Sequence, residues 1–159
     1  MGNNASIITG GTSLTSGNGQ DLVVHQHNTA NTLTIATKIT GGIGVTKAGP
    51  GTLILSGTND YTGQTFVNGG TLSISSNANL GNQATGATLN LNAATLRTTA
   101  NVGLFNGSMN TNDRPMVIGG GVTINVDAGT TLTTNGAISG TGGLTRAIAS
   151  KEAAELWRL

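Results

Sequence analysis

The chain has 159 residues, enough for one domain, and only 8% of them are charged. Its net charge of +1 gives no electrostatic reason to expect binding to nucleic acid or to an anionic membrane. The lack of cysteine excludes disulfides, thiolate metal sites and cysteine nucleophiles. Aromatic residues make up 3% of the chain and hydrophobic residues 36%. We therefore expect a narrow core of stacked aliphatic side chains, and neither an ordinary globular core nor a disordered chain.

Short apolar runs with period-two alternation recur along the chain and are separated by segments rich in glycine, asparagine, serine and threonine. Leu89 and Leu91, for example, alternate with Asn90 and Asn92. This pattern predicts strands with one buried face, and we expect the asparagines to stack along the other. The segment 99–114 is predicted to be looser. Residues 6–9 form one short apolar run. The predicted strands cover 21–25, 31–36, 52–56, 66–67, 71–75, 87–92, 94–98, 115–118, 122–126 and 130–134.

Residues 46–72 read TKAGPGTLILSGTNDYTGQTFVNGGTL, in which three strand-like runs are broken by glycine and asparagine. Residues 56–60 and 68–70 are predicted turns. The stretch resembles the autotransporter-associated β-strand repeat, also called the passenger-associated transport repeat, and departs from its pattern at Asp60. The matching positions are Thr46, Lys47, Gly49, Gly51, Thr52, Leu53, Leu55, Ser56, Gly57, Asn59, Tyr61, Thr62, Gly63, Thr65, Val67, Gly70, Thr71 and Leu72.

The resemblance implies a right-handed parallel β-helix within the secreted passenger of a bacterial autotransporter, outside the cell or at its surface. It implies a structural and secretion-assisting unit without catalytic residues, and a full-length parent with an outer-membrane β-barrel translocator as partner. The polar start of the chain carries no signal-peptide pattern. We therefore expect the chain to be a fragment of a longer protein, a deliberately shortened chain or the product of a damaged gene.

A second, longer recurrence supports a repetitive fold. Residues 32–47 read TLTIATKITGGIGVTK, and residues 131–146, which follow 99 positions later, read TLTTNGAISGTGGLTR. Coils of about 20–25 residues would fit four or five times into that period, which lies in the solenoid range. We predict an all-β fold, a parallel β-helix over residues 1–146. A β-sandwich with regularly spaced strands is the alternative.

Residues 147–159, AIASKEAAELWRL, differ abruptly in composition and contain no glycine, asparagine or threonine. Ser150 can serve as the N-cap of a short helix, and Ala149, Ala153, Leu156 and Leu159 would form one apolar stripe. Three interpretations stay open: a C-terminal cap, an appended or docking peptide, and a frameshift product. The 99-residue recurrence predicts a continuation resembling Gly-x-Gly-Thr-Leu after Arg146, and that continuation is missing.

Residues that could support chemistry are few. His25 and His27 lie two apart and would share one face of a strand, but a zinc site needs three or four ligands, so we expect surface histidines. The acids are scattered, and we expect Asp113-Arg114 to be a local turn pair. The glycines of 139–145 have no G-K-[ST] sequence after them and indicate a turn. The Thr-x-Thr runs at 32–34 and 131–133 are too few for an ice-binding array.

We therefore predict a non-enzymatic structural segment with no cofactor and no metal site, which serves as a rigid stalk and aids secretion and folding. The alternative is an adhesin or a self-associating module that uses the solenoid ends. A β-helical carbohydrate-active enzyme is a third hypothesis, which the scattered acids disfavour.

Overall fold

A computed structural model describes residues 5–83, 87–105 and 113–148. These residues form strands and short turns, with two single 3-10 turns at Gly17–Gly19 and Asn77–Leu80. The strands are β1 (Ser6–Ile8), β2 (Leu22–His25), β3 (Leu33–Ile35), β4 (Val45–Ala48), β5 (Thr52–Leu55), β6 (Thr65–Ile74), β7 (Leu89–Thr98), β8 (Val102–Gly103), β9 (Met116–Ile118), β10 (Val122–Val126), β11 (Leu132–Thr133), β12 (Ile138–Gly140) and β13 (Leu144–Ile148).

The strands stack in parallel and form a β-solenoid of about six turns. Each coil contributes to three faces. Face A stacks β2, β4, the first half of β6, the first half of β7, β9 and β12. Face B stacks β1, β3, β5, the second halves of β6 and β7, β10 and β13. Face C holds the connecting turns and the short pair β8–β11. The predicted parallel β-helix is confirmed, and the β-sandwich is excluded because its sheets are antiparallel.

Aliphatic side chains form columns inside the solenoid because every second residue of each strand points inward. On face B the column contains Leu33, Leu53, Leu72, Leu96 and Ile124, each in register with the next. Of these, Leu53, Leu72 and Leu96 are fully buried. Each coil therefore covers its apolar face only with the coils on either side, which makes the stack the unit of stability.

The break predicted at 68–70 is a corner inside a continuous strand. Strand β6 runs from Thr65 to Ile74 and turns from face A to face B at Gly69 and Gly70, which have φ of 97° and 63°. The same corner in β7 is formed by Ala93, with φ of 46°. The two strands predicted at 87–92 and 94–98 are therefore one strand, β7.

The predicted stack of asparagines is mostly absent. Asn90 lies beside Phe66 in the register of β6 and β7, and only Asn68 and Asn92 pair with each other. Because the coils differ in length, different residue types lie next to each other on the outer face of the stack. The polar residues that alternate with the leucines therefore do not form a uniform row.

The 99-residue recurrence is not a structural period. Leu33 lies in β3 on face B, whereas its counterpart Leu132 lies in β11 on face C. Thr46 lies in β4 on face A, whereas Thr145 lies in β13 on face B. Because the coils vary in length, residues 131–146 are shifted by one face relative to the similar residues 32–47. The expectation of a repeat continuation after Arg146 was wrong for the same reason, because that position does not correspond to Lys47.

Strand β13 continues to Ile148, where Ala147 and Ile148 pair with Asn125 and Val126 of β10. The solenoid thus runs two residues past the predicted boundary at residue 146. The helix predicted from Ser150 lies outside the described residues, and the described part of the chain contains no α-helix. Within the same ranges, no helix is long and apolar enough to cross a membrane.

Candidate functional site

Asn59 joins three consecutive coils on face C. Its side-chain Oδ1 accepts a hydrogen bond from the backbone N–H of Ile39 at 2.7 Å, and its Nδ2 donates to the carbonyl of Asn79 at 2.6 Å. Both partners lie 20 residues away, one in the preceding coil and one in the following coil. Asn59 is buried, so each bond satisfies a backbone group that water does not reach.

Asn79 repeats this role one coil later. Its Nδ2 donates to the carbonyl of Gly57 in the preceding coil at 3.0 Å. Its Oδ1 accepts from the backbone N–H groups of Ser75 and Ser76, both at 2.9 Å, and so holds its own turn. The backbone N–H of Asn59 adds a direct bond to the carbonyl of Ala78.

Lys47 links two coils at the corner between faces A and B. The side chain points inward from β4 and the residue is only 1% exposed. Its Nζ donates to the carbonyl of Gly49 at 2.8 Å and to that of Gly69, in the next coil, at 3.0 Å. Burial lowers the pKa of Lys47 below its usual value, because an ammonium surrounded by apolar side chains loses hydration. We call Lys47, Asn59 and Asn79 the polar clamp.

Tyr61 fills the interior on face C and is fully buried. Its hydroxyl lies 2.6 Å from the Oγ1 of Thr65, so the one polar atom of the ring has a partner within the same coil. Burial raises the pKa of Tyr61 to about 12, although the bond to Thr65 lowers it in part. Gly81 of the next coil lies against the ring, where an added Cβ would come within 2.8 Å of ring carbons.

Arg114 is a buried residue that the sequence did not single out for this role. It is 0% exposed and spans the turn of an earlier coil: Nε donates to the side chain of Asn77, one terminal nitrogen to the carbonyl of Ala87 and the other to the carbonyl of Gly81. Burial lowers its pKa. No ion pair joins it to Asp113 among the described residues, so the predicted local turn pair is wrong.

The glycines of the repeat lie where successive coils touch backbone to backbone. A Cβ at Gly63 would lie 2.5 Å from the amide nitrogen of Gly44, one coil earlier. A Cβ at Gly70 would lie 2.5 Å from the carbonyl oxygens of both Gly49 and Gly51. The same close approach to the preceding coil holds for the other repeat glycines, Gly49, Gly51 and Gly57. The spacing of the glycines in the repeat therefore follows from the close backbone contacts between successive coils.

The remaining repeat positions divide between core and surface. The buried ones form the inward columns: Leu53, Leu55, Thr65, Val67 and Leu72. Thr46, Thr52 and Thr71 are half-buried on the outer side of their strands, whereas Ser56 and Thr62 are exposed in turns. The structure brings these residues together as inward columns and coil contacts. It does not gather them into a cleft with convergent catalytic groups.

The other candidate residues form no chemical site in the described structure. His25 and His27 are exposed and stack with ring centroids 5.9 Å apart, and the described residues contain no group of three metal-ligating side chains. Asp60 pairs with Lys38 and Asp127 with Arg97 in exposed ion pairs on different coils.

Gly140 belongs to strand β12, and Gly142 packs against the carbonyl of Gly120, so this glycine segment is not a phosphate loop.

A groove of about 270 Å³ lies on face C next to the clamp, and most of its lining is amide side chains. Asn59 contributes to its wall, but both ends of the Asn59 amide are engaged in coil-to-coil bonds. Asn77 is also engaged, because its carbonyl accepts from Arg114 and its amide donates to Gln83. The groove's polar groups thus serve mainly to hold the turns of neighbouring coils.

The stacked coils, inward aliphatic columns and coil-joining polar residues define a β-solenoid, and comparison with known proteins relates this solenoid to autotransporter passengers. Residues 45–74 match the passenger-associated-transport-repeat family, so the chain carries this repeat and the predicted resemblance is confirmed. Over 107 residues, 67% of the chain, it is 40% identical to the "Adhesin BmaC autotransporter" of Brucella suis biovar 1 (strain 1330). The chain spans 3% of the length of that relative. No solved structure gives a significant match.

Proposed function

We propose that this chain is a non-enzymatic structural segment of an autotransporter passenger, which extends a rigid stalk at the bacterial surface and aids secretion by folding there. The observation that carries the proposal is that two residues of the polar clamp, Lys47 and Asn59, lie within the matched repeat. Asn59 and Lys47 each bond to a neighbouring coil through backbone groups, so a newly added coil gains specific hydrogen bonds as well as apolar contact.

Stacking of this kind suits a chain that folds one coil at a time. Each coil depends on its neighbours for burial and can add to a stack already formed, as in other repeat proteins. The free energy released by each added coil favours forward movement of a chain that emerges from an outer-membrane translocator. The lack of cysteine supports the proposal, because no disulfide can form before transit.

The test is surface display of the chain fused to an outer-membrane translocator in a bacterial host. The variant carries Asn59→Ala and Gly70→Ala, and the matched control carries Asn68→Ala and Gly42→Ala at an exposed asparagine and an unobstructed glycine. We expect normal display of the protease-resistant chain for the wild type and the control, and a clear loss for the variant. Equal display of all three would contradict a role of coil stacking in secretion.

A second candidate function is adhesion, because the matched relative is named an adhesin. An adhesive segment would promote attachment when it is displayed on a cell that does not otherwise adhere. Cells that display the control variant are compared with cells that display no passenger, in an assay of attachment to host cells and of cell aggregation. A stalk alone leaves both properties unchanged, whereas an adhesive segment increases at least one of them.

A further inference from the structure

The groove beside the polar clamp on face C is lined by carboxamide side chains and one aromatic ring. Its volume of about 270 Å³ lies slightly below the roughly 300–1,000 Å³ of pockets for drug-sized ligands, so it has room for one ring-sized group. Its described lining contains no ionisable side chain. The groove therefore offers no ion pair to an anionic ligand such as a phosphate.

Phe105 forms an apolar wall of the groove, and its ring is held from behind. A Cβ at Gly103, two residues earlier in β8, would overlap the ring of Phe105, so the ring packs directly against the glycine. Phe105 is half-buried, and part of its surface borders the groove. An aromatic ring held in this way can pack against the C–H groups of a sugar ring and loses little conformational entropy on binding.

Asn77 has hydrogen-bonding capacity beyond its bonds within the described structure. Its Oδ1 accepts a bond from Arg114, and its Nδ2 donates one to Gln83. A carboxamide oxygen can accept two bonds and its nitrogen can donate two, so one acceptor and one donor position remain for a ligand. The buried guanidinium of Arg114 polarises this amide, which strengthens its second N–H as a donor.

We propose that the groove on face C binds one neutral sugar residue of a glycan. Carboxamides both donate and accept hydrogen bonds and so match sugar hydroxyls, which also do both. Asn77 bonds to these hydroxyls, the Phe105 ring packs against the C–H face of the sugar, and the carboxamides of Asn82 and Gln83 complete the lining. The proposal goes beyond the stalk function, does not depend on it, and gives the adhesion candidate a chemical class of ligand.

The test is equilibrium binding of maltose, lactose, cellobiose and glucose to the purified full-length chain, measured by saturation-transfer NMR. We expect at least one of these sugars to bind with a Kd of about 1 mM, as a single ring-sized ligand does. Phe105→Ala should weaken this binding by about tenfold, because one aromatic contact is lost. Phe66→Ala is the control, since this other phenylalanine is half-buried on face A and does not line the groove.

Asn77→Asp separates binding from folding. The new carboxylate retains an oxygen that accepts from Arg114 but has no N–H to donate. We therefore expect the strand circular dichroism spectrum of the wild type and binding weakened by about three- to tenfold. Asn68→Asp, at an exposed asparagine of β6 outside the groove, should leave binding unchanged.

Absence of binding for every tested sugar would overturn the proposal. Equal binding by the groove variants and their controls would also overturn it, because the sugar would then lie elsewhere. Glucuronate is measured beside glucose, and tighter binding of glucuronate would contradict the assignment to neutral sugars. If Phe105→Ala unfolds the chain, the result for Asn77→Asp decides. Normal surface display without sugar binding would leave the stalk proposal intact, so the two proposals fail separately.

Discussion

Lys47 places an ammonium group inside an aliphatic column, where its register neighbours on the adjacent coils are Val24 and Val67. The charge has no carboxylate partner among the described residues, and two carbonyl oxygens take its hydrogen bonds. At the scale of the residue, the repeat thus uses buried polar side chains to satisfy backbone groups at the corners. The function of these side chains is to fix how one coil sits on the next.

Replacement of Lys47 by Met tests this role, because Met retains the apolar stem but cannot donate hydrogen bonds. We expect Lys47→Met to lower the free energy of unfolding by about 1–3 kcal/mol at pH 7, since the carbonyls of Gly49 and Gly69 lose a buried donor. Urea denaturation measures the change. Lys38→Met is the control, because this exposed lysine pairs with Asp60 at the surface, where an ion pair contributes at most about 1 kcal/mol. Unchanged or increased stability of Lys47→Met would contradict the role.

Tyr61 predicts a pH dependence at alkaline pH. Its pKa in the folded chain is about 12, above the ordinary value of 10.0, so the folded state retains a proton that the unfolded state releases between these pH values. The stability contribution is complete below pH 10 and is lost as pH rises towards 12, at up to about 1.4 kcal/mol per pH unit. Tyr61→Phe should lose this part of the slope in urea denaturation series. Identical slopes for both proteins would show that Tyr61 is not protected from ionisation.

At the scale of the element, the decisive features are the corners. Strands β6 and β7 each pass from face A to face B without a loop, and the backbone turns at Gly69 and Gly70 in one and at Ala93 in the other. Gly70 combines a φ of 63° with close contact to the carbonyls of the preceding corner. A side chain there would disturb both the turn and the spacing of the coils.

Gly70→Ala should therefore destabilise the protein by at least about 2 kcal/mol, because it adds left-handed backbone strain to a steric clash with the backbone. Gly42→Ala is the control, since nothing lies within 4 Å of a Cβ at Gly42 and we expect a change of at most about 0.5 kcal/mol. Chemical denaturation of both variants measures the difference. Equal stabilities would show that the corner adapts to a side chain.

The sequence predicted the elements better than their connections. Alternation of leucines with polar residues located Leu53, Leu55, Leu89 and Leu91 in buried strand positions, because the period of two is a local property of the strand. The 99-residue recurrence failed as a structural period because coil length varies: register partners on face B run from Leu33 to Leu53, Leu72, Leu96 and Ile124 at unequal spacing. Local patterns contain no information about such spacing.

The same limit applies to the site. The resemblance to the repeat selected Lys47 and Asn59, but not the hydrogen bonds that they make to neighbouring coils. Arg114 was missed in this role because its partners lie 27 to 37 residues away and no local pattern surrounds it. An arginine in a segment predicted to be loose gives no sign of burial. Only the stacking of coils reveals that it spans the turn around Asn77 and Gly81.

At the scale of the whole molecule, the chain is a stack in which each coil contacts mainly the coils before and after it. Stability in such a stack is close to a sum of coil and nearest-neighbour contributions. A change at one coil contact should therefore act locally. This property distinguishes a solenoid, in which hydrogen bonds join neighbouring coils, from a globular domain, in which any core defect lowers the stability of the entire domain.

Amide hydrogen exchange of Asn59→Ala, followed by mass spectrometry under native conditions, tests this account most directly. We predict faster exchange in the coils that Asn59 joins, around Ile39, Ala78 and Asn79, with Asn68→Ala as the unaffected control. Strands β10 and β13, several coils away, should retain their protection. Uniform loss of protection along the chain, or no change near Ile39 and Asn79, would contradict the claim that the repeat functions by joining neighbouring coils.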